Sequence, residues 1–291
     1  MDLSVCLVNW NTRDHLARCL TALRGELTGL DAEVLVVDNA STDGSADLVR
    51  SQFPQVTLIA NRENLYYSAA NNQALTRAQG EFVLLLNPDV ELRPRAVAAM
   101  LRVLREREAA GAVACRLLLP DGSIQLSCRS FPTPAVLAWE ALGLSRLFPR
   151  SRRFGAYRMS CWDYDDTRQV DQPMASCLML RKRALDEVGH FDEGFPMFFN
   201  DVDLCYRLKA AGWEVYFTPE GEALHHHAAS TSQVWPEMVR QSNQGLLRFY
   251  RKHYRGRISR PAYAVGVLLI RLGGAVRLLG AGLRRTSCSQ R

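Results

Sequence analysis

Short apolar runs alternate with amphipathic stretches over residues 1–118. The runs Ser4 to Val8, Glu33 to Val37, Val56 to Ala60, Phe82 to Leu86 and Gly111 to Leu117 are rich in aliphatic and β-branched side chains and read as buried strands. Helices are predicted between them, beginning near Arg13, Gly44, Tyr67 and Pro94; proline is harmless in a first helical turn, where its missing N–H has no partner. This alternation predicts an α/β fold with a mostly parallel sheet flanked by helices on both faces. All but the last of these strands end in a polar cluster: Asn9 to Asn11, Asp38 to Asp43, Asn61 to Asn64, and Asn87 to Asp89. Ligands of open α/β sheets sit outside the carboxyl ends of the strands, so the clusters are expected to meet at one cleft.

From Pro120 to about Thr167 the periodicity fades into loops rich in Pro, Arg, Ser and aromatics, with a short helix around Ala135 to Leu142. Such a stretch inside a compact domain marks a functional loop or poor order. Regular structure resumes with Val170 to Leu180, a helix near Ala184, a helix from about Asp201 to Ala211, a strand Glu214 to Phe217 and a helix from Trp235 to Tyr254.

Composition narrows the class. With 291 residues, 47% hydrophobic and 23% charged, the chain is an ordinary globular protein, neither disordered nor fibrous. The net charge is +6, and Lys182, Lys209 and Lys252 are the only lysines. Arginine suits diphosphates and anionic lipid headgroups, although a genomic bias accounts for the excess equally well; no nucleic-acid partner is expected. Cys6, Cys19, Cys115, Cys128, Cys161, Cys177, Cys205 and Cys288 show no C-x-x-C pair and read as reduced core residues of a cytosolic protein. The chain opens directly into the run Leu3 to Val8 without the features of a signal peptide, so export is not expected. The apolar tail Pro261 to Arg285 carries Arg271 and Arg277 and several glycines, which makes it a poor spanning helix. It reads instead as an interfacial helix with Arg271, Arg277, Arg284 and Arg285 toward an anionic membrane surface, or as a helix packed on the body.

Four segments carry candidate chemistry. Asp38 at a strand end is placed to accept hydrogen bonds from a ribose or base, while Asp43 better fits a helix-capping role. Without a G-x-G-x-x-G, a mononucleotide is the better ligand than a dinucleotide. An Asn87-Pro88-Asp89 turn is by itself usually only a turn, but after a buried strand of the same sheet its carboxylate is a candidate for a divalent ion bridging two phosphates. In Asn200-Asp201-Val202-Asp203, helical spacing puts Asp201 on the face of Leu204, Cys205 and Leu208, where desolvation raises a carboxyl pKa and suits a general base; a helix cap is the alternative. Asp203 is expected to pair with Arg207. Of His225-His226-His227, predicted to lie in a loop, at most one is expected to complete the coordination of the ion at Asp89, unless the loop is merely solvated.

Together these segments resemble glycosyltransferase family 2, most closely its bacterial rhamnosyltransferase-like members, over nearly all of residues 3 to 232. The resemblance is carried by Val8-Asn9-Trp10-Asn11, Val37-Asp38-Asn39-Ala40-Ser41-Thr42-Asp43-Gly44-Ser45, Glu63-Asn64 through Asn71-Asn72, Leu86-Asn87-Pro88-Asp89, Pro120-Asp121-Gly122-Ser123, Asp192-Glu193-Gly194-Phe195, Asp201-Val202-Asp203, and Leu224-His225 to Ser230-Thr231. It implies a GT-A fold, Rossmann-like, with a C-terminal helical tail. Residues 1–118 would be the nucleotide-sugar-binding half, 119–234 the acceptor-binding and catalytic half, and 235–291 C-terminal helices that associate with membrane.

The resemblance further implies an inverting transfer of rhamnose or another hexose from a dTDP- or UDP-sugar to a glycan or lipid-linked acceptor, assisted by Mg²⁺ or Mn²⁺, in cell-surface polysaccharide synthesis. The enzyme would work in the cytoplasm or on the inner face of the membrane. Trp10 would lie against the nucleobase, with Asn9, Asn11, Asp38, Asn39, Asn64, Asn72 and Asn87 around the donor. Asp89 would take the role of the last acid of the family's metal-binding D-x-D motif, with His225 beside it, and Asp201 would be the base. Two departures stand out: Asn200 occupies the place of a usual Glu, and Leu65-Tyr66-Tyr67 replaces a usual Gly-Phe, so Tyr66 adds bulk at the donor pocket. The alternative is a nucleotide-sugar-binding protein that has lost catalysis. A nucleotidyltransferase would need a glycine-rich basic loop that Asn9 to Arg13 does not supply.

Overall fold

The computed structural model describes the backbone of residues 1–226 and 235–288 and the side chains of 1–226 and 238–275. The chain begins β1 (Leu3–Asn9), α1 (Arg13–Glu26), β2 (Ala32–Asp38), α2 (Ser45–Gln52), β3 (Thr57–Ala60), α3 (Tyr66–Leu75) and β4 (Phe82–Leu86). It continues β5 (Val90–Leu92), α4 (Ala96–Glu106), β6 (Ala110–Leu118), β7 (Cys128–Arg129), α5 (Pro134–Ala141) and α6 (Leu144–Leu147). After β8 (Arg168–Gln169), β9 (Gln172–Pro173) and β10 (Cys177–Arg181) come α7 (Lys182–Val188), α8 (Asn200–Ala210), β11 (Glu214–His225), α9 (Trp235–Tyr254) and α10 (Arg260–Cys288).

One sheet organises the molecule, in the order β3-β2-β1-β4-β10-β6-β11-β5, with β8 added on β11. The first four strands are parallel, β10 enters antiparallel to both β4 and β6, and β5 closes the far edge antiparallel to β11. The sheet is thus parallel where the strand–helix alternation was regular and mixed beyond it. Side chains of β1 alternate between two cores. Leu3, Val5 and Leu7 pack with Leu16, Leu20 and Leu23 of α1 and Met100 and Leu104 of α4. Cys6 faces the other way, with Ala70 and Ala74 of α3 and Leu204 and Leu208 of α8. Each such side chain contributes roughly 1.5–3 kcal/mol by leaving water, which explains why the central strands are apolar on both faces.

The predicted run Val170 to Leu180 is not one strand. Pro173 has no N–H to offer a ladder, and the segment divides into β9, a break at Met174 to Ser176, and β10. The helix placed near Pro94 starts at Ala96, after Arg95 turns the backbone left-handed at φ 74°. The strand expected to stop at Phe217 passes Pro219 through an irregularity between Thr218 and Glu222 and continues to His225, so His225 ends a strand instead of lying in a loop. Seven described cysteines are free, and all of them but Cys161 are buried.

A third apolar cluster of Phe195, Phe249, Tyr250, Tyr254 and Ile270 joins α9 and α10 to the loop before α8. Among the described residues, no helix is long and apolar enough to cross a membrane. On α10, Val265, Leu268 and Leu272 are exposed, whereas the side chains of Arg277, Arg284 and Arg285 lie outside the described residues.

Candidate active site

The turn Asn87-Pro88-Asp89 leads from β4 directly into β5, and β5 runs antiparallel to β11 with Val90 opposite His225. The His226 N–H donates to the Asp89 carbonyl at 2.9 Å. This pairing brings the ends of two strands far apart in sequence to one point. Asp89 and His225 are both buried, with His225 Nε2 3.5 Å from Asp89 Oδ1. On its other nitrogen, His225 Nδ1 is 2.7 Å from Gln125 Oε1. His226 turns away to Glu91 at 2.7 Å, and His227 lies outside the described residues, as do Ser230 and Thr231.

Asp201 stands in the first turn of α8, half-buried. Its Oδ1 accepts from the Val202 N–H at 2.8 Å, and its Oδ2 accepts from Gln172 Nε2 at 3.3 Å and the Ala175 N–H at 3.4 Å. These contacts are neutral. Burial therefore prevails and pushes the Asp201 carboxyl above the usual aspartate range, despite the hydrogen bonds that oppose it. Asp203 is more deeply buried than Asp201, contrary to the helical-face reading, and its environment differs in kind. Arg207 Nε, His253 Nε2 and Lys252 Nζ lie 2.7–2.8 Å from its oxygens. Although burial acts to raise its pKa, these partners together hold the carboxyl at about 2. Of the two acids, only Asp201 has its carboxyl pushed above the usual aspartate range.

The asparagines form a bracket. Asn39 donates to Asn64 Oδ1 at 2.8 Å and to the Tyr66 carbonyl at 3.1 Å, and accepts from Asn61 and the Leu65 N–H. The bracket fixes the loop that carries Tyr66, a residue held at φ 61°. Asn9 donates to Asp38 Oδ1 and Ser41 Oγ, both at 3.1 Å, and Asp38 Oδ2 accepts from the Ser41 N–H at 3.0 Å. Asn11 holds the Thr42 N–H at 2.8 Å, and Asn72 ties α3 to Phe191 and Glu193. Asp43 accepts from the N–H groups of Arg13 and Ser45 and so joins the starts of α1 and α2.

A cleft of about 370 Å³ collects Trp10, Asn39, Asn64, Tyr66, Asn87, Asp89, Asp201 and His225 on one surface. Asn9, Asn11, Asp38 and Asn72 do not line it; their side chains brace the loops beneath. Asn200 does line it, with its amide on Ser68 Oγ at 3.0 Å and its oxygen accepting from the Asp201 N–H at 2.7 Å.

Residues 4–159 match the family described as Glycosyl transferase family 2. The chain is 34% identical over 242 residues to an N-acetylglucosaminyl-diphospho-decaprenol L-rhamnosyltransferase of Mycobacterium tuberculosis, covering 79% of this chain and 78% of that protein. This protein belongs to glycosyl transferase family 2. Family 2 members catalyse inverting sugar transfer, so the chain is a glycosyltransferase. It is also 27% identical over 157 residues to the rhamnosyltransferase WbbL of Escherichia coli, covering 52% of this chain and 54% of that one. A mannosyltransferase of Pyrobaculum calidifontis, solved with GDP-Man and Mn²⁺, shares the GT-A fold at a TM-score of 0.60 and 18% identity, covering 99% of this chain and 75% of that chain.

Several family-2 cleft residues escaped the sequence reading. Met174, Ala175 and Ser176 line the cleft because the predicted strand breaks there, and Pro173 was the available signal. Met238 reaches it from α9, and Gln125 supports His225 from the irregular stretch after Pro120; neither carries a local signature.

Proposed function

We propose that this glycosyltransferase moves rhamnose or another hexose from a dTDP- or UDP-sugar to a glycan or lipid-linked acceptor, working in the cytoplasm or on the inner face of the membrane. The observation that carries the reading is the single cleft in which the Asp89–His225 pair and Asp201 both open. The names of the relatives, which act on sugar and lipid-diphosphate chemistry, support the substrate class.

The residues at the Asp89 end fit a divalent cation. Gln125 holds His225 through Nδ1 so that Nε2 and the Asp89 carboxylate, 3.5 Å apart, turn toward each other, and both atom types are ligands for a divalent ion. One carboxylate and one imidazole leave most positions to phosphate oxygens and water, the usual situation for Mg²⁺ or Mn²⁺ at a diphosphate. Among the described residues no group of three or more metal-ligating side chains forms a closed cage. When bound, such an ion would offset the charge of the departing diphosphate.

The chain's own residues supply the rest. Trp10 offers an aromatic face to the base of the donor, and Asn87 and the bracket around Asn39 shape the floor. Asp201 takes the proton of the acceptor hydroxyl as that oxygen bonds to the anomeric carbon. The carbon–oxygen bond to the diphosphate breaks at the opposite face, and its electron pair leaves with the nucleotide. This is one displacement, so the configuration inverts and no covalent enzyme intermediate forms.

The test is thermal stabilisation against a panel of dTDP- and UDP-sugars, with and without Mn²⁺, followed by transfer assays on Asp89→Ala and Asp201→Asn. A donor present at 100 times its Kd stabilises by about 2.7 kcal/mol. A metal-dependent shift with one donor, with transfer lost in both variants, is expected. Full activity in either variant would remove that residue's role, and stabilisation without transfer by the wild type would favour the binding protein that has lost catalysis.

A further inference from the structure

A second concavity, a groove of about 570 Å³, adjoins the catalytic cleft and shares Met197 and Phe198 with it. That shared wall runs through Phe199 into Asn200 and Asp201, so the groove borders the cleft on the side of the proposed base. Its other wall is α9. Met238 of α9 lines the cleft, whereas Gly245, Arg248, Lys252 and Arg255 line the groove. The spacing of seven, three and four residues keeps Met238, Gly245, Arg248 and Lys252 on one helix face, and Arg255 follows in the turn just after α9. Gly245 makes the approach possible, since a Cβ there would stand 2.8 Å from the Phe198 carbonyl oxygen. Helix α9 thus runs from the reaction centre along a continuous channel.

The far part of the channel is cationic. Arg248, Arg251, Lys252 and Arg255 line it, and the acids near them are Asp192 and Asp203. Asp192 lies 3.2 Å from Arg248 and 2.7 Å from Lys252, and both cations sit over the Phe195 ring, at 5.3 and 5.5 Å from its centre. Gly194 leaves the space that the Arg248 guanidinium occupies. Asp203 is shared with Arg207 and His253 and cannot neutralise the groove. Arg251 and Arg255 are exposed and point no hydrogen bond at any acid among the described residues, so the groove keeps a surplus of positive charge.

We propose that this groove is the subsite for the phosphate groups of the acceptor, so that the enzyme recognises a sugar carried on a lipid diphosphate by its phosphates as well as its hydroxyl. The inference rests on the acceptor reading above. Arginine's planar fork matches phosphate oxygens in pairs. Along a helix of about 1.5 Å rise per residue, Arg248 lies roughly 15 Å from Met238, and helical side chains lean toward the N-terminus, here toward the cleft. Two anchored cations give the groove a fixed shape, and two unanchored ones are available to close on the ligand.

The test uses the full chain, free of metal so that the Asp89 end does not compete, and titrates it with geranyl diphosphate. The wild type is expected to bind it saturably, and Arg251→Glu/Arg255→Glu to lose at least about tenfold in affinity, the cost of a lost charge-assisted contact. Arg251→Lys/Arg255→Lys should recover much of the loss. Thermal stabilisation by the nucleotide-sugar donor with Mn²⁺ should be unchanged in all variants. Equal binding by wild type and the double Glu variant, or no binding by the wild type, would overturn the subsite. So would loss of binding to phosphatidylglycerol vesicles with geranyl diphosphate binding intact, which would make the groove a headgroup face. A missing donor shift in the wild type would instead strike at the catalytic reading and leave the groove result standing by itself.

Discussion

The Nδ1 of His225 stands 2.7 Å from the Oε1 of Gln125. That contact orients the ring so that Nε2 faces Asp89, the direction from which a metal ion would be held. Gln125→Leu removes the contact while keeping bulk. The expected outcome is a rise of about 10–100-fold in the Mn²⁺ concentration needed for half-maximal transfer, read from a metal titration, with a smaller change in kcat at saturating metal. An unchanged titration would show that Gln125 does not position the ring.

Asp201 must be deprotonated to accept a proton, and its pKa is raised by burial. The rate therefore falls as pH drops through a value above the usual aspartate pKa of about 3.9. The acidic limb of kcat/KM should lie above that value, and Asp201→Asn should abolish the limb and reduce kcat by about 10²–10⁴-fold while donor stabilisation survives. An acidic limb at or below the ordinary aspartate range would assign it to another group.

Asp203 behaves oppositely. Its folded-state pKa is depressed to about 2, so its contribution to stability is present in full above the unfolded value of about 3.9 and is lost as pH falls toward 2. Asp203→Asn should lower stability at pH 7 by about 3 kcal/mol, because Arg207, Lys252 and His253 lose their shared carboxylate. Urea unfolding at pH 7 and across pH 2–5 checks both parts: the variant should be weaker at pH 7 and should lose the portion of acid sensitivity that belongs to this group.

Tyr66 is exposed, lines the cleft and sits at φ 61°, a conformation that costs a side-chain-bearing residue roughly 1 kcal/mol. Tyr66→Gly should leave the melting temperature unchanged or slightly higher and should reduce discrimination between donors. Comparison of kcat/KM for two nucleotide-sugars in wild type and variant reads this directly. An unchanged ratio would show that Tyr66 does not select the sugar.

How far the sequence reaches is visible in particular residues. The strands of the parallel half, the helices beginning at Arg13, Ser45 and Tyr66, and the polar clusters at the ends of β1, β2 and β4 were all legible, because burial on two faces and strand-end chemistry are written in local pattern. The Asp203–Arg207 pair was legible for the same reason, being one helical turn apart. Gln172, Ala175 and Gln125 were not, since they touch their partners across 29, 26 and 100 residues respectively and no local periodicity encodes such a contact.

By itself, then, the sequence determined an α/β sheet with helices on both faces, a family, and the candidate acids Asp38, Asp89 and Asp201. Only the tertiary structure decided which of them share a surface. Antiparallel pairing of β5 with β11 brought Asp89 to His225, and the break before β10 opened the space in front of Asp201. The Asn9–Ser41 bracket drew Asp38 beneath the cleft instead of into it. The reason is physical: a side chain's type is set locally, but its burial, charge partners and pKa depend on neighbours that only long-range strand pairing and packing bring together.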